Sequence, residues 1–143
     1  MQFNQTKLDG AYLIDLDRHS DERGFFARTW CQQEFREHGL NAGVAQTSIS
    51  FNRHAGTLRG MHFQVEPYQE TKLVRCTRGA LHDVIIDLRP ESPSYKQWLG
   101  VELTADNYRM LYIPAGFAHG FITLEESTEV SYMISDPYVP DSA

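Results

Sequence analysis

Two stretches of this 143-residue chain set side chains of proton-transfer and anion-binding chemistry close together. In Gly56-Thr57-Leu58-Arg59-Gly60-Met61-His62-Phe63-Gln64 a guanidinium and an imidazole lie three residues apart, with Lys72 and Asp83 downstream. In Ile113-Pro114-Ala115-Gly116-Phe117-Ala118-His119-Gly120-Phe121 a Pro-x-Gly turn leads into a second imidazole, His119. An imidazole that is mostly neutral near pH 7 suits a general base. Taken alone, His62 reads better as a satisfied core or surface histidine; its cationic neighbours make it a candidate. Asp83 sits between Leu81 and Ile85 on its own strand face. A buried charge costs several kcal/mol unless it is paired or used. Asp83 is therefore either a site residue or half of an ion pair with one of the cations.

The spacing of Arg59 and His62 carries a geometric condition. Strict alternation along a strand sends residues three apart to opposite faces. The two share a pocket only if the strand bulges between them, and Gly60 is where that would happen.

The elements that must position these groups read as short strands separated by turn residues. Candidates are Ala11–Leu16, Phe25–Thr29, Val44–Phe51, Thr57–Gln64, Thr71–Thr77, Leu81–Leu88, Tyr95–Leu103, Arg109–Ile113, Gly120–Leu124 and Thr128–Met133. Gly79, Pro90, Asp106-Asn107 and Pro114-Ala115-Gly116 punctuate them. One helical window spans Trp30–His38, with Thr29 as cap, Gln32 in the box position and Gly39 as terminator. This pattern predicts an all-β fold: two antiparallel sheets packed as a jelly roll or barrel, with one or two short peripheral helices and a pocket lined by alternate strand residues. No repeat or linker interrupts it, so one domain is expected over residues 1–143.

Composition narrows the functions available. With 41% hydrophobic and 12% aromatic residues the chain can bury a core, and it has no apolar run long enough for a membrane helix. Lys+Arg 13 against Asp+Glu 19 give a net charge of -6, which argues against nucleic acid as the main partner. A small phosphorylated ligand needs only a few placed cations and stays open. Cys31 and Cys76 are too few for a disulfide scaffold and are expected as buried free thiols. The N-terminus shows no signal pattern, so a cytoplasmic protein is expected.

The Pro114–His119 turn resembles the second motif of the cupin superfamily, whose metal-binding members offer two histidines one residue apart plus a glutamate in the first motif. The matching place here reads His62-Phe63-Gln64, with only Glu66 and Glu70 nearby, so neither metal nor another cofactor is expected. More specifically, the chain resembles the dTDP-4-dehydrorhamnose 3,5-epimerase family from about Tyr12 to Pro140. The resemblance is carried by Asp21-Glu22-Arg23-Gly24-Phe25-Phe26, Gln46-Thr47-Ser48-Ile49-Ser50, Gly56–Gln64, Lys72-Leu73-Val74-Arg75, Gly79–Arg89, Ser92-Pro93, Trp98 and Ile113–Phe121, with Tyr132 and Tyr138. It implies an isomerase of deoxysugar (rhamnose-type) biosynthesis that inverts centres next to the ketone of a dTDP-4-keto-6-deoxyhexose, at C3, C5 or both. By this resemblance His62 is the base, Tyr132 the acid on the opposite face and Lys72 the cation beside the developing enolate. Arg59 and Arg23 resemble diphosphate contacts, His119 and Asp83 pocket-lining residues, Tyr138 a ring packed on the ligand, and Gln46 and Ser50 further polar contacts. The family's Arg23 segment crosses to a neighbouring subunit, so a homodimer with shared sites is implied.

Two departures stand out. The family usually continues past the position of Ala143, through a segment whose Asp pairs with the base histidine; Asp83 or Asp87 is the available substitute in the sequence given. Glu70 stands where the family commonly has Gln; a carboxylate so near Lys72 either pairs with it or faces solvent, and a solvent-facing one is expected. A sugar-nucleotide isomerase or single-centre epimerase, and an impaired sugar-nucleotide binding domain, are the alternative readings.

Overall fold

The computed structural model describes residues 1–142. Twelve strands follow in order: β1 Gln2–Gln5, β2 Tyr12–Asp15, β3 His19–Asp21, β4 Gly24–Phe26, β5 Gln46–Asn52, β6 Leu58–His62, β7 Lys72–Arg78, β8 Ala80–Asp87, β9 Trp98–Thr104, β10 Met110–Ile113, β11 Phe117–Thr123 and β12 Thr128–Ile134. A six-stranded sheet has the order β1-β2-β10-β7-β12-β5, a four-stranded sheet the order β6-β11-β8-β9, and β3-β4 form a separate hairpin. Every pairing is antiparallel. The expected all-β architecture of packed antiparallel sheets is what the chain forms.

Alternation explains the core. Along β8, Leu81, Asp83, Ile85 and Asp87 are buried while His82, Val84 and Ile86 are half-buried. Leu81 and Ile85 join Val74, Cys76, Leu103, Leu111, Phe117, Phe121 and Val130 in the main core. A second core lies over the other face of the larger sheet, where Ile14, Leu73, Met110 and Tyr112 meet Phe35 of helix α1, Gln32–Glu37. Gly79 carries the chain from one sheet to the other at φ +76°, where an added Cβ would sit 2.5 Å from Thr128 Oγ1.

Several boundaries differ from expectation. β1 and β3 are polar edge elements without the apolar alternation that marks a strand, so their pairing is set by neighbours. The window Phe25–Thr29 contributes only its start, in the exposed β3-β4 hairpin. Helix α1 is capped by Cys31 without a side-chain hydrogen bond, so Thr29 and Gln32 form no capping box. Gly39 does terminate it: its N–H and that of Leu40 donate to the carbonyls of Arg36 and Phe35, closing a Schellman turn. Among the cysteines, Cys76 is buried and Cys31 half-buried, both free.

The condition on Arg59 and His62 is met by a bulge. His62 lies opposite His119 and Arg59 opposite Phe121, so β6 spends three steps where β11 spends two. The extra residue falls at Gly60-Met61, with Gly60 at φ +99°. A Cβ at Gly60 would meet the His119 carbonyl oxygen at 2.6 Å and Gly120 Cα at 2.7 Å. Gly60→Ala is therefore expected to destabilise the protein by about 2 kcal/mol or more. An unchanged midpoint in chemical denaturation would show that β6 and β11 do not approach this closely.

Candidate active site

Sequence-distant polar groups converge on two adjoining cavities. The larger, about 740 Å³, is walled by Gln46, Ser48, His62, Gln64, Glu70, Lys72, Tyr132 and Tyr138 among others. That volume suits a small-molecule ligand. The smaller, about 230 Å³, is walled by Ser50, Arg59, His62, Lys72, His119 and Tyr132, with Phe121. His62, Lys72 and Tyr132 line both.

The strand periodicity that builds the sandwich also makes these walls polar. On β5 the residues facing Tyr132 and Val130 of β12 are Ser48 and Ser50, with Asn52 next in that row, while Ile49 and Phe51 point outward and are exposed. The register thus turns the apolar side of β5 out and its hydroxyls in.

Each cation has a defined partner. The Arg59 Nε–H donates to Asn52 Oδ1 at 2.6 Å, and Asn52, only 2% exposed, is itself held through its amide N–H groups by the carbonyls of Ser50 and Thr128. Sequence reading missed Asn52; the signal available was a polar residue at the end of the inward row of β5. Lys72 Nζ lies 3.0 Å from Glu70 Oε1. Glu70 does not face solvent as expected: its side chain is 7% exposed and its second oxygen accepts from the Gln64 amide at 2.5 Å. A solvent-facing carboxylate would strand both donors in the cavity wall. Gln64 was likewise missed as a functional residue.

His119 and Asp83 form a buried pair with Nε2 and Oδ1 2.6 Å apart, so Asp83 braces His119 from behind and is paired with neither Arg59 nor Lys72. The His119 ring lies edge-on to Tyr132 at 6.2 Å between centroids. Burial, reinforced by the negative charge of Asp83, raises the Tyr132 phenol above the ordinary tyrosine range, against the opposing pull of Arg59 and of a hydrogen bond with Ser50. The phenol is consequently a proton donor in reserve across the neutral range.

Not every predicted residue joins the cavities. Arg23 stands on the turn of the β3-β4 hairpin, 84% exposed, with its guanidinium 2.6 Å from Asp21. Tyr138 and Gln46, by contrast, both line the larger cavity, and the Tyr138 N–H donates to Gln46 Oε1 at 3.1 Å. Neither suggested substitute carboxylate reaches His62. Asp83 is engaged with His119, and Asp87 accepts from Arg89, Ser92 and Ser94. Burial would push the Asp87 carboxyl up, but those bonds outweigh it and hold the group well below the usual carboxylate range. Among the described residues no three His, Cys, Asp or Glu side chains gather as a metal-ligand set.

The family model for dTDP-4-dehydrorhamnose 3,5-epimerase matches residues 5–143. The chain belongs to that family. A dTDP-4-dehydrorhamnose 3,5-epimerase of Sinorhizobium fredii is 43% identical over 138 residues, which cover 96% of this chain and 71% of the relative. The enzyme of the same name from Bacillus anthracis, solved with TDP and PPi bound, is 40% identical and superposes with a TM-score of 0.94 over 99% of this chain and 81% of its own. The Legionella pneumophila dTDP-6-deoxy-D-glucose-3,5-epimerase, in complex with dTDP-4-keto-L-rhamnose, gives 35% identity and a TM-score of 0.91 over 99% of this chain and 74% of its own. The resemblance drawn from scattered motifs thus extends over nearly the whole of this chain, which spans about 70 to 80% of the length of these relatives. No helix among the described residues is long and apolar enough to cross a membrane.

The raised Tyr132 phenol yields a direct test. Titrated through pH 10, near the ordinary tyrosine pKa, the wild-type protein and Tyr132→Phe are expected to show the same growth of the ultraviolet phenolate band, because Tyr132 ionises only at higher pH. A smaller band in Tyr132→Phe at that pH would mean that the phenol is not shielded.

Proposed function

We propose that this chain inverts carbon centres flanking the ketone of a dTDP-4-keto-6-deoxyhexose, with His62 as base, Tyr132 as acid and Lys72 beside the ketone oxygen. The observation that carries the assignment of roles is the placement of these three side chains on walls common to both cavities. His62 takes the proton from the carbon next to the ketone, and the C–H electron pair moves into the ketone to give an enolate. The Lys72 ammonium opposes the charge that develops on its oxygen. The Tyr132 hydroxyl then returns a proton to the other face of the same carbon, which inverts it, and solvent resets imidazolium and phenolate. No redox partner enters this balance.

Arg59 suits the diphosphate, since a guanidinium bonds two phosphate oxygens at once. His119, braced by Asp83, and Ser50 complete the inner pocket, while Gln46 and Tyr138 form its mouth. Arg23 supplies a second diphosphate contact from the neighbouring copy of a homodimer, with the β3-β4 hairpin crossing between subunits. An exposed hairpin that presents Phe25 and Phe26, the latter 69% exposed, supports that arrangement. The enzyme works in the cytoplasm on a nucleotide-linked sugar.

The test uses dTDP-4-keto-6-deoxyglucose in deuterated water. Wild-type protein is expected to place label at C3 and C5. Label at one carbon would indicate a single-centre epimerase, and none with retained dTDP binding a binding domain. His62→Ala should abolish exchange at both carbons; near-wild-type exchange would remove His62 as base. Lys72→Ala should lower the chemical step about 10²- to 10³-fold, the scale of a lost oxyanion donor, whereas a change confined to affinity would recast Lys72 as a binding group. Sedimentation should give the mass of two chains, and a monomer would exclude the shared site.

A further inference from the structure

Glu70 lies at the centre of a buried hydrogen-bond relay whose polarity is fixed from one end. The Val139 N–H donates to Gln64 Oε1 at 2.6 Å, and the Ser142 hydroxyl donates to the same oxygen at 3.1 Å. A backbone N–H can only donate, so this end of Gln64 must be its carbonyl. The amide nitrogen is thereby turned inward, donating to Glu70 Oε2 at 2.5 Å and to the Tyr68 carbonyl at 2.8 Å. The other Glu70 oxygen faces the Lys72 ammonium, which is also only a donor, at 3.0 Å. Position 70 must therefore accept from both sides at once. A carboxylate does so; a carboxamide, with one acceptor oxygen, satisfies one donor and turns its own N–H toward the other.

We propose that Glu70 is a positioning residue that aims the Lys72 ammonium into the cavity and ties its placement, through Gln64, to the docking of the segment that carries Tyr138. Lys72 is a flexible four-carbon chain whose ammonium has, among the described residues, no other carboxylate within ion-pair distance. Without a fixed anchor its rotamers spread the charge over the cavity, and an electrostatic stabiliser acts only where its charge already points. Glu70 supplies the anchor, and the Gln64 bond stops the carboxylate from swinging. The same Gln64 oxygen pins Val139 next to Tyr138, so the ring at the mouth and the ammonium inside are set by one network. This rests on the reading of Lys72 as the cation beside the enolate.

The test compares Glu70→Gln, Lys72→Ala and the double variant with dTDP-4-keto-6-deoxyglucose as substrate. Glu70→Gln is expected to lower kcat about three- to tenfold, the scale of one lost hydrogen bond, with KM within about twofold of wild type. The double variant is expected to be no slower than Lys72→Ala, because Glu70 acts through Lys72. Wild-type kcat in Glu70→Gln, or losses that multiply in the double variant, would overturn the role. Lys72→Ala with unchanged kcat would reject the reading of Lys72 and this proposal with it, whereas a slow Lys72→Ala beside an unaffected Glu70→Gln rejects Glu70 alone. Calorimetric affinity for dTDP should match wild type in Glu70→Gln; lost binding or lost cooperative unfolding would place Glu70 among the residues that maintain the fold and overturn the positioning role.

Discussion

The architecture of the site depends on a close backbone approach between β6 and β11, where a single surplus residue on β6 is absorbed at Gly60. Remove that bulge and the period of two would turn either Arg59 or His62 outward. With it, a guanidinium and an imidazole from one strand face the same cavity, and His62 stands opposite His119. The second strand contributes its own glycine: a Cβ at Gly120 would meet Met61 Sδ at 2.7 Å and the Arg59 carbonyl at 2.8 Å. The two glycines let the main chains draw together where larger residues would hold them apart.

Around that seam the protein solves the problem of placing charge inside a sandwich. Each buried ionic group is paired by a neighbour of opposite polarity: Asp83 with His119, Asp87 with Arg89 and two serines, Glu70 with Lys72 and Gln64. Such pairing offsets desolvation and fixes orientation together. Among the described residues Asp83 Oδ2, like Glu34 Oε2 and Arg75 Nε, is buried without a hydrogen-bond partner. Its unshared charge is one of the two influences that keep the Tyr132 phenol protonated.

Much of this was legible in the sequence because it rests on alternation. The row Leu81-Asp83-Ile85-Asp87 announces buried carboxylates, and Gly60 between Arg59 and His62 announces a bulge. The limits of legibility are equally physical. Glu70 reads as solvent-facing because its immediate neighbours, Gln69 and Thr71, are polar; its carboxylate is held by Gln64, which is fixed in turn by the chain at Val139 and Ser142, contacts that only the tertiary fold creates. Asn52 shows in the sequence only as a polar residue at the end of the inward row of β5, because its partners, Arg59 and the Thr128 carbonyl, arrive from other strands. The outward Ile49 and Phe51 run against the rule that apolar residues of a strand point inward, since here the inward row of β5 faces a polar cavity. Strands β1 and β3 lacked any pattern of their own and borrow order from the partners they pair with.

The single bond from Asn52 to Arg59 has a consequence for how that guanidinium is spent. The buried amide takes only the Nε–H, and among the described residues neither terminal nitrogen of Arg59 donates a hydrogen bond. One edge of the planar group is therefore clamped, which fixes the plane in which its other N–H groups point, and a guanidinium held in plane loses less freedom on forming a bidentate contact. A lysine in this place would have one nitrogen to divide between anchor and guest.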